Sequence, residues 1–184
     1  MLREFLERAS LFFLLHTLDV DLAQTARAVG CSCGGPLHAA TFARKPRGGP
    51  PGLPETLSVR LGLCCGWCRQ RTLPPSVLFW DRKVYWSVAI LVLTTLGQQR
   101  TEGYSARRLQ RLFGVSRPTL ARWIGYFRQV FPLGPTWQRL RGRLLPPVAP
   151  EALPGGVIVR FVDARDDPDE ALAACLRALR LAPV

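Results

Sequence analysis

The sequence of residues 104–123 is YSARRLQRLFGVSRPTLARW, which divides into two short amphipathic segments at a single glycine. Gly114 permits the left-handed backbone that a tight turn requires, and Ser116 suits the N-cap of the helix that follows. Pro118 is tolerated in the first turn of that helix, because the N–H that it lacks would have no partner there. The pattern predicts a helix-turn-helix. Its predicted apolar contacts, which recur at helical spacing, are Leu109, Leu112, Phe113, Val115, Leu120, Trp123, Ile124 and Phe127.

The second helix of this motif is predicted to turn its polar face away from the core. In a helix-turn-helix, the N-terminal residues of the second helix meet base edges in the major groove of DNA. Arg117 and Arg122 are therefore predicted to read bases, and the neighbouring arginines to hold phosphates. The alternative is an amphipathic hairpin with a solvated basic face, because Gln110 stands where this motif usually has a small residue. The predicted DNA-contacting residues are Arg107, Arg108, Arg111, Ser116, Arg117, Thr119, Arg122, Tyr126 and Arg128.

The net charge of +12 is concentrated in the middle of the 184-residue chain. Residues 31–100 carry 9 basic and 2 acidic side chains, and residues 101–150 carry 9 and 1, whereas both ends are slightly acidic. Such segregation indicates a polyanionic partner. All but two of the 25 basic residues are arginine, whose planar fork suits phosphate oxygens and guanine edges. A GC-rich genome would also favour arginine codons, although it would not explain the clustering.

Five of the six cysteines fall into two groups, CSCGG at residues 31–35 and CCGWC at residues 64–68. Each group pairs thiols with a glycine, the pattern of a zinc knuckle, and the residues between them are predicted to form the hairpin of a zinc ribbon. A closed site with four thiolates is structural rather than catalytic. Cys64 could replace Cys65, and His38 is a more distant substitute. The predicted zinc ligands are Cys31, Cys33, Cys65 and Cys68.

Other interpretations of these cysteines stay open. The first pair is C-x-C, where a ribbon usually has C-x-x-C, so the site can also be a small core of unliganded thiols. A redox pair is disfavoured, because no βαβ pattern surrounds Cys65 and Cys68. Cys175 lies at core spacing with neighbouring leucines and is predicted to be plain packing.

The chain is predicted to be mainly α-helical, with a small β zinc ribbon packed against a trihelical helix-turn-helix unit. The predicted parts are an N-terminal helical segment (1–30), a zinc-ribbon-like module (31–83), the helix-turn-helix unit (84–131), and a Pro-rich connector with a C-terminal helix (132–184). Within them, strands are predicted at 37–43, 57–63 and 77–80, a buried helix at 84–98, and a last helix at 168–181. Asp19 or Asp21 is predicted to cap a second helix in the first part.

The beginning of the chain lacks the basic region of a signal peptide, and its longest apolar run has 13 residues, short of the ~20 that span a bilayer. A cytoplasmic, nucleoid-associated protein is therefore expected, in which grouped cysteines bind metal.

Three stretches together resemble a group of small, insertion-sequence-associated bacterial proteins, described as transposase-like or zinc-ribbon proteins. They are GCSCGGPLH at 30–38, RQRTLPPSVLFWDRKVY at 69–85 and GVSRPTLARW at 114–123. The resemblance runs roughly from Leu22 to Val148 and implies an association with mobile DNA. The C-x-C pair departs from the commoner C-x-x-C.

A catalytic transposase would need three carboxylates that hold two metal ions. The basic centre offers only Glu55, Asp81 and Glu102, each beside a predicted turn. The acidic run at 166–170 is explained by the capping of a helix, with Asp167 as the N-cap. A serine or cysteine hydrolase is also disfavoured, because His16 and His38 have no partner motif.

The sequence therefore predicts a non-enzymatic, sequence-specific binder of double-stranded DNA, acting as an accessory or regulatory factor in transposition. Two alternatives stay open: a transcriptional repressor, and a nucleic-acid-binding subunit that docks on a larger nuclease, transposase or RNA complex. RNA binding would use the basic surface and exposed Tyr126 or Trp67 for stacking.

Overall fold

The computed structural model describes residues 2–81, 83–99 and 105–181, so Glu102 and Tyr104 lie outside the described residues. The described part is mainly helical with small antiparallel sheets, as predicted. Its helices are α1 (Ala9–Val29), α2 (Ser87–Gln99), α3 (Ala106–Phe113), α4 (Arg117–Gly125), α5 (Pro135–Leu140), α6 (Gly155–Asp163) and α7 (Pro168–Leu181). Its strands are β1 (Leu37–Ala39), β2 (Phe42–Ala43), β3 (Val59–Arg60), β4 (Leu63–Cys65) and β5 (Arg71–Thr72).

Helix α2 is the centre of the helical core. Every residue from Ser87 to Leu96 is buried, because helices α3, α4 and α6 and the 3₁₀ turn Leu2–Leu6 pack around it. Gly97 lets α4 approach closely, since a Cβ atom there would lie 3.1 Å from Leu120 Cδ2. The buried hydroxyls of Thr94 and Thr95 are satisfied by carbonyl oxygens one turn back in the same helix, as buried polar groups require.

None of the helices in the described ranges combines the length and the apolar character that a membrane crossing requires.

The N-terminal segment forms one long helix, α1, instead of a helix followed by a second one capped by Asp19 or Asp21. Asp19 is buried in the middle of α1 and accepts hydrogen bonds from another part of the chain. The backbone N–H groups of Val77 and Leu78 donate to its Oδ1 at 2.7 and 3.4 Å, and Ser76 Oγ donates to its Oδ2. The carboxylate therefore joins α1 to residues 76–78.

The predicted third strand, Val77 to Trp80, is wrong for the same reason. Its N–H groups bond to Asp19 and Ser76 rather than to a neighbouring strand. Only an isolated bridge joins Phe79 to Trp86. All four side chains of the segment are buried in the helical core, so its apolar residues pack but do not extend a sheet.

The strands form two small antiparallel sheets. One has the order β1-β4-β5, with Leu37 opposite Cys65 and Leu63 opposite Thr72, and the other pairs β2 with β3. Each predicted strand, 37–43 and 57–63, is thus split between two sheets. The first sheet has its own small core of Leu37, Leu63 and Cys65, separate from the helical core.

Helical turns continue from the end of α4 into the first part of the predicted Pro-rich connector, which begins at residue 132. Residues Tyr126–Val130 continue α4 as a π-helical turn, and a 3₁₀ turn, Phe131–Leu133, leads into α5. Trp137 of α5 is buried against Phe131, with ring centroids 6.1 Å apart. Buried aromatic packing therefore orders this Pro-rich region.

Candidate functional site

The four predicted ligands, Cys31, Cys33, Cys65 and Cys68, come together at one end of the first sheet. Their sulfur atoms all lie within 4.8 Å of one another. Cys31 Sγ is 3.6 Å from Cys68 Sγ, and Cys33 Sγ is 3.5 Å from Cys65 Sγ. Sulfurs that surround a tetrahedral zinc ion at about 2.3 Å are about 3.8 Å apart. These four thiols, which we call the cysteine cluster, can therefore hold one metal ion with little rearrangement.

Two turns bring the thiols of the cysteine cluster together. In the first, Gly34 has a φ of +81° and donates its N–H to the Cys31 carbonyl at 2.8 Å. Gly35 follows, and a Cβ atom there would lie 2.7 Å from Cys65 Sγ, so only glycine leaves room for the sulfur. The second turn lies at the tip of the β4–β5 hairpin, where the Trp67 N–H points at Cys65 Sγ at 3.4 Å. The C-x-C spacing is accommodated by these two glycines.

The backbone around the cysteine cluster favours a thiolate at Cys65. Burial alone would raise the pKa of this thiol, but N–H groups of Cys68 and Trp67 and the neighbouring thiols outweigh burial and lower the pKa to about 6. A backbone hydrogen bond from Gln70 would lower the pKa of Cys68, but the three other thiols hold its proton and raise the pKa to about 12. Four thiols this close share protons, and a cation would remove the mutual repulsion of their ionised forms.

The structure places the other cysteines and His38 outside the cluster. The thiol of Cys64 points to backbone carbonyls, with Sγ 3.5 Å from the Arg69 oxygen, and is not part of the cluster. His38 is exposed beside Gly66 and also lies outside the cluster. Cys175 is fully buried in the helical core, as predicted, and burial raises the pKa of its thiol.

A second candidate site is the pair of helices α3 and α4. They are joined by residues 114–116, and Gly114 has the left-handed φ of +64° that the sequence predicts. Ser116 caps α4, accepting a hydrogen bond from the Thr119 N–H at 3.3 Å. Leu109, Val115, Leu120 and Trp123 are buried between these helices and α2. Leu112 was predicted to be buried, but it is 45% exposed.

The arginines of α3, of α4 and of the π-helical turn after α4 face solvent. Seven predicted contact residues are exposed, six of them arginines, and Ser116 and Thr119 are half-buried at the start of α4. Arg122 also donates to Thr119 Oγ1 at 3.3 Å, which positions its guanidinium beside that helix start. The six exposed arginines are Arg107, Arg108, Arg111, Arg117, Arg122 and Arg128.

Two predicted contact residues are placed less simply. Tyr126 is 38% exposed, and its ring packs edge-on against Trp80 and Phe127. Burial raises the pKa of its hydroxyl. Arg128 lines a separate cavity with Gln99 and Glu151, beside the N-terminus of α6.

Sequence reasoning missed the residue that anchors the turn. Tyr85 is buried, and its hydroxyl donates to the Gly114 carbonyl at 3.1 Å. Its ring lies edge-on to Trp123 of α4, with centroids 4.9 Å apart. The tyrosine therefore fixes both the turn and the second helix, although nothing in its local sequence signals a contact 29 residues away.

The carboxylates considered for catalysis do not converge among the described residues. Asp81 pairs with Arg180 at 2.7 Å, and Glu55 is exposed in a 3₁₀ turn. Asp167 caps α7, accepting hydrogen bonds from the N–H groups of Asp169 and Glu170 at 2.7 and 3.1 Å. Within the described ranges, the cysteine cluster is the only group of three or more His, Cys, Asp or Glu ligands close enough to hold a metal.

Comparisons of the chain with protein-family models, with curated proteins and with solved structures found no match.

Proposed function

We propose that this protein is a sequence-specific binder of double-stranded DNA that uses α3 and α4 as a helix-turn-helix. The observation that carries the proposal is the start of α4. There a capped helix N-terminus, stabilised by Tyr85 and packed on α2, presents Arg117 and Arg122 to solvent. The N-terminal half of a recognition helix is the part that enters the major groove, and arginine is the side chain most suited to guanine.

The arginines of α3 would contact the phosphate backbone of the DNA. Arg107 and Arg111 are exposed on the helix that precedes the turn, where the first helix of the motif crosses the phosphate backbone. Contacts to phosphate increase affinity for every sequence, whereas contacts to base edges discriminate among sequences. The two sets of arginines are therefore expected to behave differently when they are substituted.

We further propose that the cysteine cluster binds a structural zinc ion, as in a zinc ribbon. Four thiolates with tetrahedral spacing and no open position suit zinc. The metal would stabilise a sheet whose own apolar core has only three buried residues. On the resemblance noted above, the DNA would belong to a mobile element, and the protein would act beside a transposase without catalysing the reaction itself.

Enrichment from a random duplex library tests the DNA proposal. The wild-type protein is expected to select a consensus sequence. Arg117→Gln and Arg122→Gln are expected to lose or change that consensus, because each removes a bidentate base contact worth about 1–3 kcal/mol. Arg107→Gln and Arg111→Gln are expected to keep the consensus but to bind all duplexes less tightly and with a smaller salt dependence.

Arg177→Gln is the matched control, because Arg177 is exposed on α7 and lines a different cavity with Leu18 and Asp21 of α1. Equal affinity of the wild-type protein for all duplexes, single strands and other polyanions would contradict the proposal.

A further inference from the structure

Three arginines from distant parts of the chain line one cavity of about 650 Å³, which Asp81 also lines. Arg44 follows β2, Arg60 ends β3, and Arg180 is near the end of α7. We call this the arginine cavity. Its apolar walls include Phe79, so it is a partly enclosed site rather than an open basic surface.

The charges of the arginine cavity are not balanced. Its lining has three guanidinium groups and a single carboxylate, Asp81, which pairs with Arg180 at 2.7 Å. Arg60 is only 7% exposed and has no ion pair within the described residues. Burial lowers the pKa of Arg60 and outweighs the attraction of the Asp19 carboxylate, and repulsion from Arg44 and Arg180 lowers it further against the weaker attraction of Asp81. An anion in the cavity would relieve this repulsion.

The guanidinium groups also have unused hydrogen-bond donors, since each carries five N–H groups. Arg44 donates to the carbonyls of Asp81 and Lys83, at 3.4 and 2.7 Å, and Arg60 donates to those of Leu61 and Pro74. Nε of Arg180 is buried and has no hydrogen-bond partner among the described residues.

Aromatic rings hold two of these guanidinium groups in place. Arg180 lies over the ring of Trp80 at 4.7 Å from its centroid, and Arg44 lies over Phe79 at 5.6 Å. Such stacking fixes the plane of a guanidinium and leaves its edge free for a planar or tetrahedral oxyanion.

The arginine cavity adjoins the second helix of the proposed DNA-binding motif. It shares Asp81 and Val84 with a neighbouring cavity that Thr119 and Arg122 of α4 also line. A ligand in the arginine cavity would therefore lie next to the surface that presents Arg122.

We propose that the arginine cavity is a phosphate-binding site formed by Arg44, Arg60 and Arg180. Arginine pairs with phosphate through short, charge-assisted and often bidentate hydrogen bonds. The phosphate can be inorganic or part of nucleic acid. Only in the second case does the inference rest on the proposed function.

Titration with inorganic phosphate at low salt tests the site directly. Proton–nitrogen NMR is expected to show the Nε–H signals of Arg44 and Arg180 shifting with saturation. Arg44→Gln and Arg180→Gln are each expected to weaken binding by about tenfold, the loss of about one charge-assisted hydrogen bond. Arg180→Lys keeps the charge and is expected to retain part of the affinity. The control is Arg177→Gln, on the same helix but outside the cavity, which is expected to bind as the wild-type protein does.

A gain-of-binding variant separates a phosphate site from a merely structural cluster. Asp81 has a φ of +51°, a conformation that asparagine also tolerates. Asp81→Asn removes the competing carboxylate and is therefore expected to bind inorganic phosphate at least about threefold more tightly. No saturable phosphate binding by either the wild-type protein or Asp81→Asn would overturn the inference, and so would binding that Arg180→Gln leaves unchanged.

Duplex binding then identifies the source of the phosphate. If nucleic acid supplies it, Arg44→Gln and Arg180→Gln weaken duplex binding and the duplex competes with inorganic phosphate. If the site takes inorganic phosphate alone, the same variants lose phosphate but bind duplex normally. If Arg117→Gln loses duplex selectivity but still binds phosphate, the result supports the role proposed for α4 and shows that the phosphate site is independent of Arg117. An unselective wild-type protein that still binds phosphate would end the proposed function and leave the phosphate site standing.

Discussion

Cys64 and Cys65 are adjacent in the chain, but only Cys65 belongs to the cysteine cluster. Cys68→Ser is expected to reduce bound zinc from about one ion per chain to a small fraction, because a structural site requires all four ligands. Cys64→Ser is the control and is expected to keep its zinc, since its thiol contacts only backbone carbonyls. Elemental analysis of the purified variants measures the difference. Equal zinc loss in both variants would contradict this choice of ligands. The zinc proposal itself would fail if wild-type protein, purified from cells grown with added zinc, contained no zinc.

Gly114 and Gly125 allow a paired test of the turn. Neither has an atom within 4 Å of the place where a Cβ would be, so steric contacts do not differ. Gly114 has a φ of +64°, whereas Gly125 is in the right-handed helical region. Gly114→Ala is expected to lower the free energy of unfolding by about 1–2 kcal/mol, and Gly125→Ala to raise it by about 0.5–1 kcal/mol. Urea denaturation measures both, and changes of the same sign would contradict the turn geometry.

Local chemistry made several single residues predictable. Gly114 and Ser116 have well-defined roles in a turn and a cap, so their conformations follow from residue type. The ligand choice between Cys64 and Cys65 did not follow, because adjacent strand residues point to opposite faces and the register of β4 decides which face meets the first turn. Register depends on pairing with residues far away in the chain, such as Leu37 with Cys65.

At the scale of elements, Asp19 connects α1 to the segment before α2. Asp19→Ala is expected to lower the free energy of unfolding by about 2–4 kcal/mol, because it leaves buried N–H groups of Val77 and Leu78 without an acceptor. Asp21→Ala, two residues further along α1 and exposed, is expected to change stability by less than about 0.5 kcal/mol. Thermal or urea unfolding compares the two variants, and similar effects would show that the contact contributes little.

The same carboxylate makes stability depend on pH. Burial raises the pKa of Asp19, and hydrogen bonds from Ser76, Val77 and Leu78 only partly offset this. The folded protein therefore binds the proton more tightly than the unfolded chain. The contribution of Asp19 to the free energy of unfolding is expected to fall as pH rises from the ordinary aspartate pKa through the raised value. The difference between wild-type protein and Asp19→Asn, measured by urea unfolding from mildly acidic to neutral pH, should show this slope, whereas a flat difference would contradict it.

Helices were easier to predict than strands because their signals are local. The last helix was predicted at 168–181 and α7 occupies Pro168–Leu181, since an acidic cap and a period of apolar residues lie within one segment. Residues 77–80 have the composition of a strand, yet α1 provides their hydrogen-bond acceptor. Helix α6 was not predicted. No side chain caps its start, so the sequence lacks the capping residue that would mark where this helix begins.

At the scale of the whole molecule, the apolar residues form two unequal cores. The helical core draws on residues from Phe5 to Leu179, including both ends of the chain, whereas the first sheet buries only Leu37, Leu63 and Cys65. Composition could not reveal this division, because it depends on which segments meet. It implies that the sheet, unlike the helices, cannot stabilise itself by burial alone.

Metal removal is therefore expected to unfold the molecule locally rather than globally. With zinc in the cysteine cluster as proposed, a chelator should release it and open residues 31–39 and 63–72, because thiolate repulsion would replace the metal–sulfur bonds of a very small core. None of these residues belongs to the helical core, so far-UV circular dichroism at the helix band is expected to change little. Hydrogen exchange would show lost protection confined to the first sheet, with α2, α4 and α7 still protected. Restoring zinc, but not magnesium, should recover protection, because four sulfur ligands select the softer ion. A chelator that collapses the helices together with the sheet would contradict the separation of the two cores.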